Sequence, residues 1–485
     1  YRSDTQRYHE YLPAISLFQS GIDEYLLYRF NPYKIYTFTP WLEKQDEVQY
    51  YSSGDSIKTV TSYKYDEYGN MKQKTVLQND GTEYTTYFKY SGNFNPASLY
   101  SNLTESYSTC LSNAIEVRTA CRKSCENSGE GDCVSRCFEE CELARQECQS
   151  TYNDAKGIVD SNLSTYGTIF ESMQEKGMVS NLVEEINTSK KNGGAESLIG
   201  GSLTKYSLFG STVIKPWEVY KISQDSPIST FYSTSINDEG RFVYLPAYER
   251  KATYTYDENG SLIQERGEKN YSTALVWGYN DTRPIAIVSG ASVNECYHED
   301  FEDGAKLAGW EASSLSSFAR TGNVAFMVEK PTQGEAYFFG PYLNISNTST
   351  KKYRYSCWVY STGPSAELYF FMKPNTINDW YATGWQCLNV QTSIVNQWVY
   401  LQGEVEVPAT MQQLYLRVDN NGGGTVYFDD LRLYPSDAQM ETYTYDPLVG
   451  MTSSTDPNGL TTFYEYDGLG RLSMVRDHEG NILKR

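Results

Sequence analysis

The sequence predicts a mainly β protein interrupted by one helical insertion, and three features of it lead there. Tyrosine supplies 44 of 485 residues, beside 36 glycines and only 9 methionines, a balance suited to short aromatic strands joined by glycine turns. Tyr-x-Tyr-Asp runs recur and close on a glycine. Most of the 10 cysteines crowd between Cys110 and Cys148 on a helical period. At about 150 residues per domain the length suggests roughly three domains.

The charge narrows the function classes. Lys and Arg total 41 against 61 Asp and Glu, a formal charge of −20, and no basic stripe breaks it. Such a chain repels phosphate backbones, so nucleic acid is not an expected partner, whereas hard cations are compatible with it. No run of 18 apolar residues is present, so no membrane span is expected. The polar opening Tyr1-Arg2-Ser3-Asp4 does not read as a signal peptide, and a mature chain or an excised piece of a longer protein is the expectation. His9, His298 and His478 stand alone in their neighbourhoods, which leaves little material for histidine-based catalysis or a zinc site.

From the N-terminus, 1–94 reads as hairpins. Tyr63-Lys64-Tyr65-Asp66 runs to Gly69-Asn70, Tyr254-Thr255-Tyr256-Asp257 to Gly260, and Tyr464-Glu465-Tyr466-Asp467 to Gly470-Arg471-Leu472. In each, aspartate at the first turn position can accept a downstream amide, and glycine at the fourth can take φ > 0. Tyr443-Thr444-Tyr445-Asp446 reaches Gly450 one residue late, and Tyr445 to Tyr466 is a spacing of 21 residues, as in an array of hairpins. Shorter Asp-x-x-Gly turns follow at Asp456 and Asp477.

These motifs resemble the YD-repeat (Rhs) family, and 443–481 match two consecutive units of it. Trp277-Gly278-Tyr279-Asn280 with Pro284-Ile285-Ala286 is similar to long Rhs proteins of the Bacteroidetes type, in which such strands precede an inserted sandwich. The resemblance implies hairpins that spiral into a β-shell, as in secreted toxins and surface adhesins, with the remaining repeats on a larger chain. Asp456-Pro457-Asn458-Gly459-Leu460 invites comparison with the self-cleavage motif ending some Rhs shells, but a further repeat follows at once, so an ordinary turn is expected.

The segment 95–180 is predicted to be a helical hairpin. Asn95-Pro96 opens it, and Leu99, Leu103, Tyr107, Cys110, Ala114, Val117, Cys121 and Cys125 then form one stripe. After 127–132 the stripe resumes with Cys133, Cys137, Cys141, Ala144, Cys148 and Ala155, and helical pattern extends toward Gly177. Cys110 with Cys148, Cys121 with Cys137 and Cys125 with Cys133 are all centred on Gly129, which predicts three nested disulfides and leaves Cys141 facing Val117. That symmetry selects one pattern among on the order of 15 pairings. A shifted register and a thiolate metal site are the competing readings. Disulfides imply an oxidising compartment, hence secretion or a bacterial cell surface. Helices of about 28 residues would make an arm roughly 40 Å long, suited to protein partners.

Hairpin strands resume over 181–290, and 291–436 reads as a β-sandwich before the repeats return at 437–485. Glu299-Asp300-Phe301-Glu302-Asp303-Gly304 opens the sandwich, Arg320-Thr321-Gly322-Asn323 follows, and Phe428-Asp429-Asp430-Leu431-Arg432-Leu433 closes it, with alternating strands between. These three motifs resemble carbohydrate-binding-module-like jelly rolls. That resemblance implies a structural calcium joining first and last strands, with Glu302, Asn323 and Asp429 at the matching positions and Asp430 as the alternative acid. A cluster of oxygen donors favours calcium over zinc. A surface-glycan platform would draw on Trp380, Tyr381 and Trp385, although most sandwich aromatics are core. Cys357 and Cys387 could bridge or stay as thiols, and Cys296 has no evident partner. No nucleophile elbow, His-Glu-x-x-His or phosphate loop occurs. The expectation is a non-enzymatic, structural or adhesive segment, with glycan binding and toxin encapsulation as the alternatives.

Overall fold

The computed structural model describes residues 7–8, 36–37, 41–50, 56–126, 132–163, 168–303, 314–330, 336–374 and 386–485. The chain packs as two compact units, Tyr1–Thr204 with Tyr220–Glu249, and Lys205–Val219 with Arg250–Arg485. Strand dominates both, as the composition predicts.

In the first unit β1 (Lys44–Tyr50), β2 (Ser56–Tyr65), β3 (Met71–Leu77) and β4 (Thr82–Tyr90) pair antiparallel in order. Strand β4 then pairs with β5 (Leu182–Lys191), and β5 with the first half of β6 (Ser197–Phe209). The helical segment is therefore an insertion between two neighbouring strands. The carboxylate of Glu184, buried on β5, accepts hydrogen bonds from the Ser233 and Thr234 hydroxyls, the Thr234 amide (2.8 Å) and the Tyr248 hydroxyl (3.1 Å). Those bonds pin the segment after 220 onto the sheet.

Helices α1 (Ala97–Glu126) and α2 (Cys133–Asn162) form the hairpin, and α3 (Thr168–Glu175) follows. At 1.5 Å per residue, 30 residues make each long helix about 45 Å. Disulfides Cys110–Cys148, Cys121–Cys137 and Cys125–Cys133 clamp it, with Cα separations of 5.9, 5.8 and 5.6 Å. Val117 departs from the predicted stripe: it is 59% exposed, and unpaired Cys141 is buried with its thiol on the Ala114 carbonyl (3.4 Å). Helical twist explains this, since a strict i, i+3, i+4 stripe drifts around a long straight helix.

The second unit holds the other hairpins. Strands β7 (Glu249–Tyr256), β8 (Leu262–Arg266), β9 (Ser272–Gly278) and β10 (Arg283–Ser289) pair in order. The chain then leaves the array and builds the sandwich. Its strands are β11 (Tyr297–Glu299), β12 (Leu315–Ser316), β13 (Ala325–Glu329), β14 (Tyr337–Phe339), β15 (Leu343–Asn344), β16 (Lys351–Ser361), β17 (Ala366–Lys373), β18 (Gln386–Thr392), β19 (Trp398–Val407), β20 (Gln413–Asn420) and β21 (Thr425–Pro435). One sheet runs β12-β13-β21-β16-β19 with β11 on β21, and the other runs β14-β20-β17-β18 with β15 on β20. Their facing sides bury Phe326, Val328, Tyr353, Cys357, Leu368, Phe370, Leu416, Val418 and Phe428 in one core. After the sandwich, β22 (Gln439–Asp446) pairs with β10, and β23 (Gly450–Thr455), β24 (Thr461–Tyr466), β25 (Leu472–Arg476) and β26 (Ile482–Lys484) extend the array.

The Asp-x-x-Gly turns share one hydrogen-bond pattern. Asp66, Asp257, Asp456, Asp467 and Asp477 each accept two downstream amides on Oδ1, at 2.8–3.0 Å. The glycine closing each turn takes φ of 74–87°, which a side chain would resist. Asp456 sits in such a turn, as its sequence context predicts. An aromatic near the end of a strand has a further task in four of these hairpins. Tyr90 donates to the Met71 carbonyl, Trp277 to Leu262, Tyr445 to Pro284 and Tyr466 to Met451, at 2.7–3.0 Å. Each acceptor is the residue paired with the corresponding aromatic of the preceding hairpin, namely Tyr65, Tyr256, Trp277 and Tyr445. Successive hairpins are thereby locked in register.

Candidate functional site

Two features of the sandwich assemble functional groups. The first is a buried acidic cluster where β11 leaves, β21 arrives and the 320–323 loop crosses between them. A β-bulge in β21 puts Ser356 opposite Arg432 but Trp358 opposite Asp429, with Asp430 at φ 49°. The extra residue breaks strand alternation, so both Asp429 and Asp430 are buried. Phe301, also left-handed at φ 60°, turns the chain between Asp300 and Glu302.

Three of these four carboxylates hold the crossing loop, through one oxygen each. Asp429 Oδ2 accepts the Arg320 and Thr321 amides (2.7 and 3.1 Å), and Asp430 Oδ2 accepts the Thr321 hydroxyl (3.0 Å). Glu302 Oε1 accepts the Asn323 and Val324 amides (2.5 and 2.7 Å). Between them, Gly322 is left-handed at φ 60°, and a Cβ there would lie 2.3 Å from Glu302 Oε1. Glu302, Asn323 and Asp429, chosen from sequence, thus converge on one loop. Asp300 Oδ1 accepts the Glu302 amide (3.2 Å), while its buried Oδ2 has no partner among the described residues. Burial, with neighbouring carboxylates, pushes Asp300 and Asp429 well above the usual carboxylate range, and burial pushes Glu299 up to about 7. Arg432 and Arg320 oppose the rise at Asp430. His298, beside the cluster, is held neutral: burial and Arg432 push its imidazole down to about 3.

The second feature is the face of the β14-β20-β17-β18 sheet turned away from the core. Register fixes its rows: Tyr337, Asp419, Glu367, Gln391; then Phe339, Arg417, Tyr369, Asn389; then Tyr415, Phe371, Cys387; then Asn344, Gln413, Lys373. The Arg417 guanidinium lies 4.4 Å from the Tyr369 ring centroid and 4.8 Å from that of Tyr337, and it pairs with Asp419 at 2.8 Å. Phe371 and Tyr415 stack at 4.8 Å, and Tyr342 meets Tyr415 edge-on at 4.9 Å. Glu367 accepts the Asn389 and Asn421 side-chain amides, both at 2.8 Å.

Sequence reasoning missed this face and the part played by Asp300. The signal is the alternation in Tyr369-Phe370-Phe371-Met372-Lys373 and in Tyr415-Leu416-Arg417-Val418-Asp419, which is mute until one knows which alternate set faces the core. Trp380, Tyr381 and Trp385 lie outside the described residues. Cys357 and Cys387 are both unpaired: Cys357 is in the core, whereas Cys387 is exposed on the outer face, so the sheet itself separates them. Cys296 is a buried free thiol that burial pushes up to about 12, an inert core residue. In the hairpin, Cys121, Cys125 and Cys137 sulfurs lie within 4.8 Å of one another, and each is engaged in a bridge.

The fold is an array of Asp-x-x-Gly hairpins carrying a jelly-roll sandwich and a disulfide-linked helical hairpin. Residues 449–482 match the family model described as RHS Repeat. No curated protein matches the chain. Among solved structures, the CBM22-2 xylan-binding domain of Paenibacillus barcinonensis Xyn10C is 12% identical, over 29% of this chain and 99% of its own, with a TM-score of 0.23. A xylan-binding domain from CBM 22 is 17% identical over 29% and 94%, with a TM-score of 0.22. The enzymatically active domain of bacteriophage CBA120 tailspike protein 4 is 11% identical, and the match covers 25% of this chain but only 17% of the tailspike's (TM-score 0.22). Likeness of this degree assigns no ligand or activity. Three disulfides and an RHS repeat fit an extracellular protein, and no helix among the described residues is long and apolar enough to cross a membrane.

Proposed function

We propose that this chain is a non-enzymatic, adhesive segment of a secreted or cell-surface repeat protein, and that its sandwich binds glycan through the outer face of β14, β20, β17 and β18. The observation that supports this reading is the row structure of that face. Sugar rings stack their C–H faces on aromatic planes while their hydroxyls need amide and carboxylate partners, and both kinds of group alternate here. In a sandwich, aromatics ordinarily fill the core. In this one Leu368, Phe370, Leu416 and Val418 already do so, and Tyr337 and Tyr369 occupy the opposite register, with Tyr337 37% exposed, while Phe371 and Tyr415 are buried.

The test is affinity electrophoresis of the whole chain through gels containing plant and bacterial polysaccharides. Retardation by at least one polymer is expected, and Tyr337→Ala or Tyr369→Ala should abolish it without moving the melting midpoint. Trp380→Ala and Trp385→Ala test the platform chosen from sequence in the same gels. Free migration in every polymer would remove the glycan reading.

The acidic cluster is proposed to hold a structural calcium. Its donors fit one: the free Asp300 Oδ2 is buried beside Glu302 and Asp430 in a cluster where carboxyls outnumber guanidiniums. Asp300, Glu302 and Asp430 would be the carboxylate ligands, while Asp429 and the amides of 320–324 keep the loop in place. The ion would neutralise charge, and a hard oxygen set selects calcium over zinc.

A further inference from the structure

We infer that the Lys373 end of the outer face takes the carboxylate of a uronic-acid unit, which makes acidic polysaccharide the preferred glycan; this rests on the glycan-binding reading above. Lys373 is the cation of this face that has no acid beside it among the described residues. Arg417 is neutralised by Asp419 at 2.8 Å, and the Glu367 carboxylate is occupied by Asn389, Asn421 and the Ser365 hydroxyl. The Lys373 ammonium instead lies 4.4 Å from the Tyr342 ring centroid and 5.9 Å from that of Tyr415, with no carboxylate partner among the described residues. Aromatic faces hold an ammonium in position but carry no net charge, so the cation keeps its demand for an anion.

A second observation comes from the neighbouring strand. Gln413 is the register partner of Lys373, and only 7% of it is exposed. Its Nε2 donates to Asn344 Oδ1 at 2.7 Å, while its buried Oε1 has no hydrogen-bond partner among the described residues. A buried amide oxygen without a donor is costly. The end of the face thus offers a cationic donor beside an unused acceptor. A uronate offers the complement, a carboxylate beside ring hydroxyls. Glu367, at the other end of β17, repels an anion and so orients an acidic chain with its carboxylate toward Lys373. The formal charge of −20 acts against anions only at long range, and salt screens it beyond about 8 Å under physiological conditions.

The experiment compares binding of the whole chain to polygalacturonate, to its methyl ester and to dextran sulfate at about 0.15 M salt. The acid form should bind about five- to twelvefold more tightly than the ester, the span from the strongest exposed ion pairs to the weakest charged hydrogen bonds. Lys373→Met should bring that ratio to near one, and Lys373→Arg should keep it, with melting midpoints confirming that both variants fold. Equal binding to acid and ester, or a preference that survives Lys373→Met, overturns the inference and leaves the glycan reading in place. Tighter binding to dextran sulfate than to polygalacturonate overturns the carboxylate assignment. Binding to none of these or any other polysaccharide overturns both readings.

Discussion

Gly322 shows how one residue can couple a loop to a charge cluster. Its left-handed backbone by itself would cost a side chain about 1–2 kcal/mol. Gly177, at φ 72° with nothing within 4 Å of the place a Cβ would take, isolates that backbone cost. Gly322→Ala must in addition push the Glu302 carboxylate out of the 2.3 Å contact, so its melting midpoint should fall clearly below that of Gly177→Ala; equal midpoints would refute the packing account. Asp300 makes a prediction of opposite sign in two conditions. In chelator, Asp300→Asn should raise the midpoint, because folding no longer has to protonate a carboxyl that burial holds well above its ordinary range and whose Oδ2 has no partner among the described residues. In calcium the same variant should show a smaller metal-induced rise than the parent. A full calcium response in Asp300→Asn would exclude Asp300 as a ligand.

Among the elements, the hairpin array is held by more than its strand ladders. Tyr466→Phe removes one hydroxyl, the donor to the Met451 carbonyl at 2.8 Å, and should cost about 1 kcal/mol in urea unfolding while leaving the strand intact. An unchanged midpoint would mean that the aromatic ring alone sets register. In the helical hairpin the bridges differ in the chain they close: Cys110–Cys148 spans 38 residues and Cys125–Cys133 only 8. Loop entropy then predicts that replacing the first pair by alanines destabilises the hairpin about 1 kcal/mol more than replacing the second. Thermal loss of helical circular dichroism measures the difference, and the reverse order would show that strain or residual structure outweighs loop length. The repeats and the bridges were both legible in sequence, because each is a local pattern: a turn needs four residues, and a helical stripe repeats every few. The exposure of Val117 was not legible, since small departures from ideal periodicity accumulate along a 30-residue helix.

Across the whole molecule, the proposed calcium site would couple stability to both metal and pH. Without metal, Glu299 titrates near 7 when folded and near the ordinary carboxylate value when unfolded, so the folded state holds more protons and stability falls as pH rises through that window. His298 acts oppositely: its folded value near 3 lies below the unfolded 6.5, so stability falls as pH drops below 6.5. The histidine contribution is common to both samples, whereas the ion replaces protons on the carboxylates. The calcium-induced rise in melting midpoint should therefore grow from about pH 5 to about pH 7.5, and a rise that is flat or shrinks over that range would count against the site.

The class of fold, the Asp-x-x-Gly hairpins, the symmetric disulfide ladder and the acids around the 320–323 loop can all be read along the chain, because they rest on short-range spacing or contiguous motifs. Packing in three dimensions is needed to see that a bulge buries Asp430 beside Asp429, that Asp300 keeps an oxygen without a partner among the described residues, and that Tyr337, Tyr369, Arg417 and Lys373 share an outward face. Those outcomes depend on which side of a two-faced strand meets the core and on contacts between residues a hundred positions apart, and a period of two along the chain does not encode either.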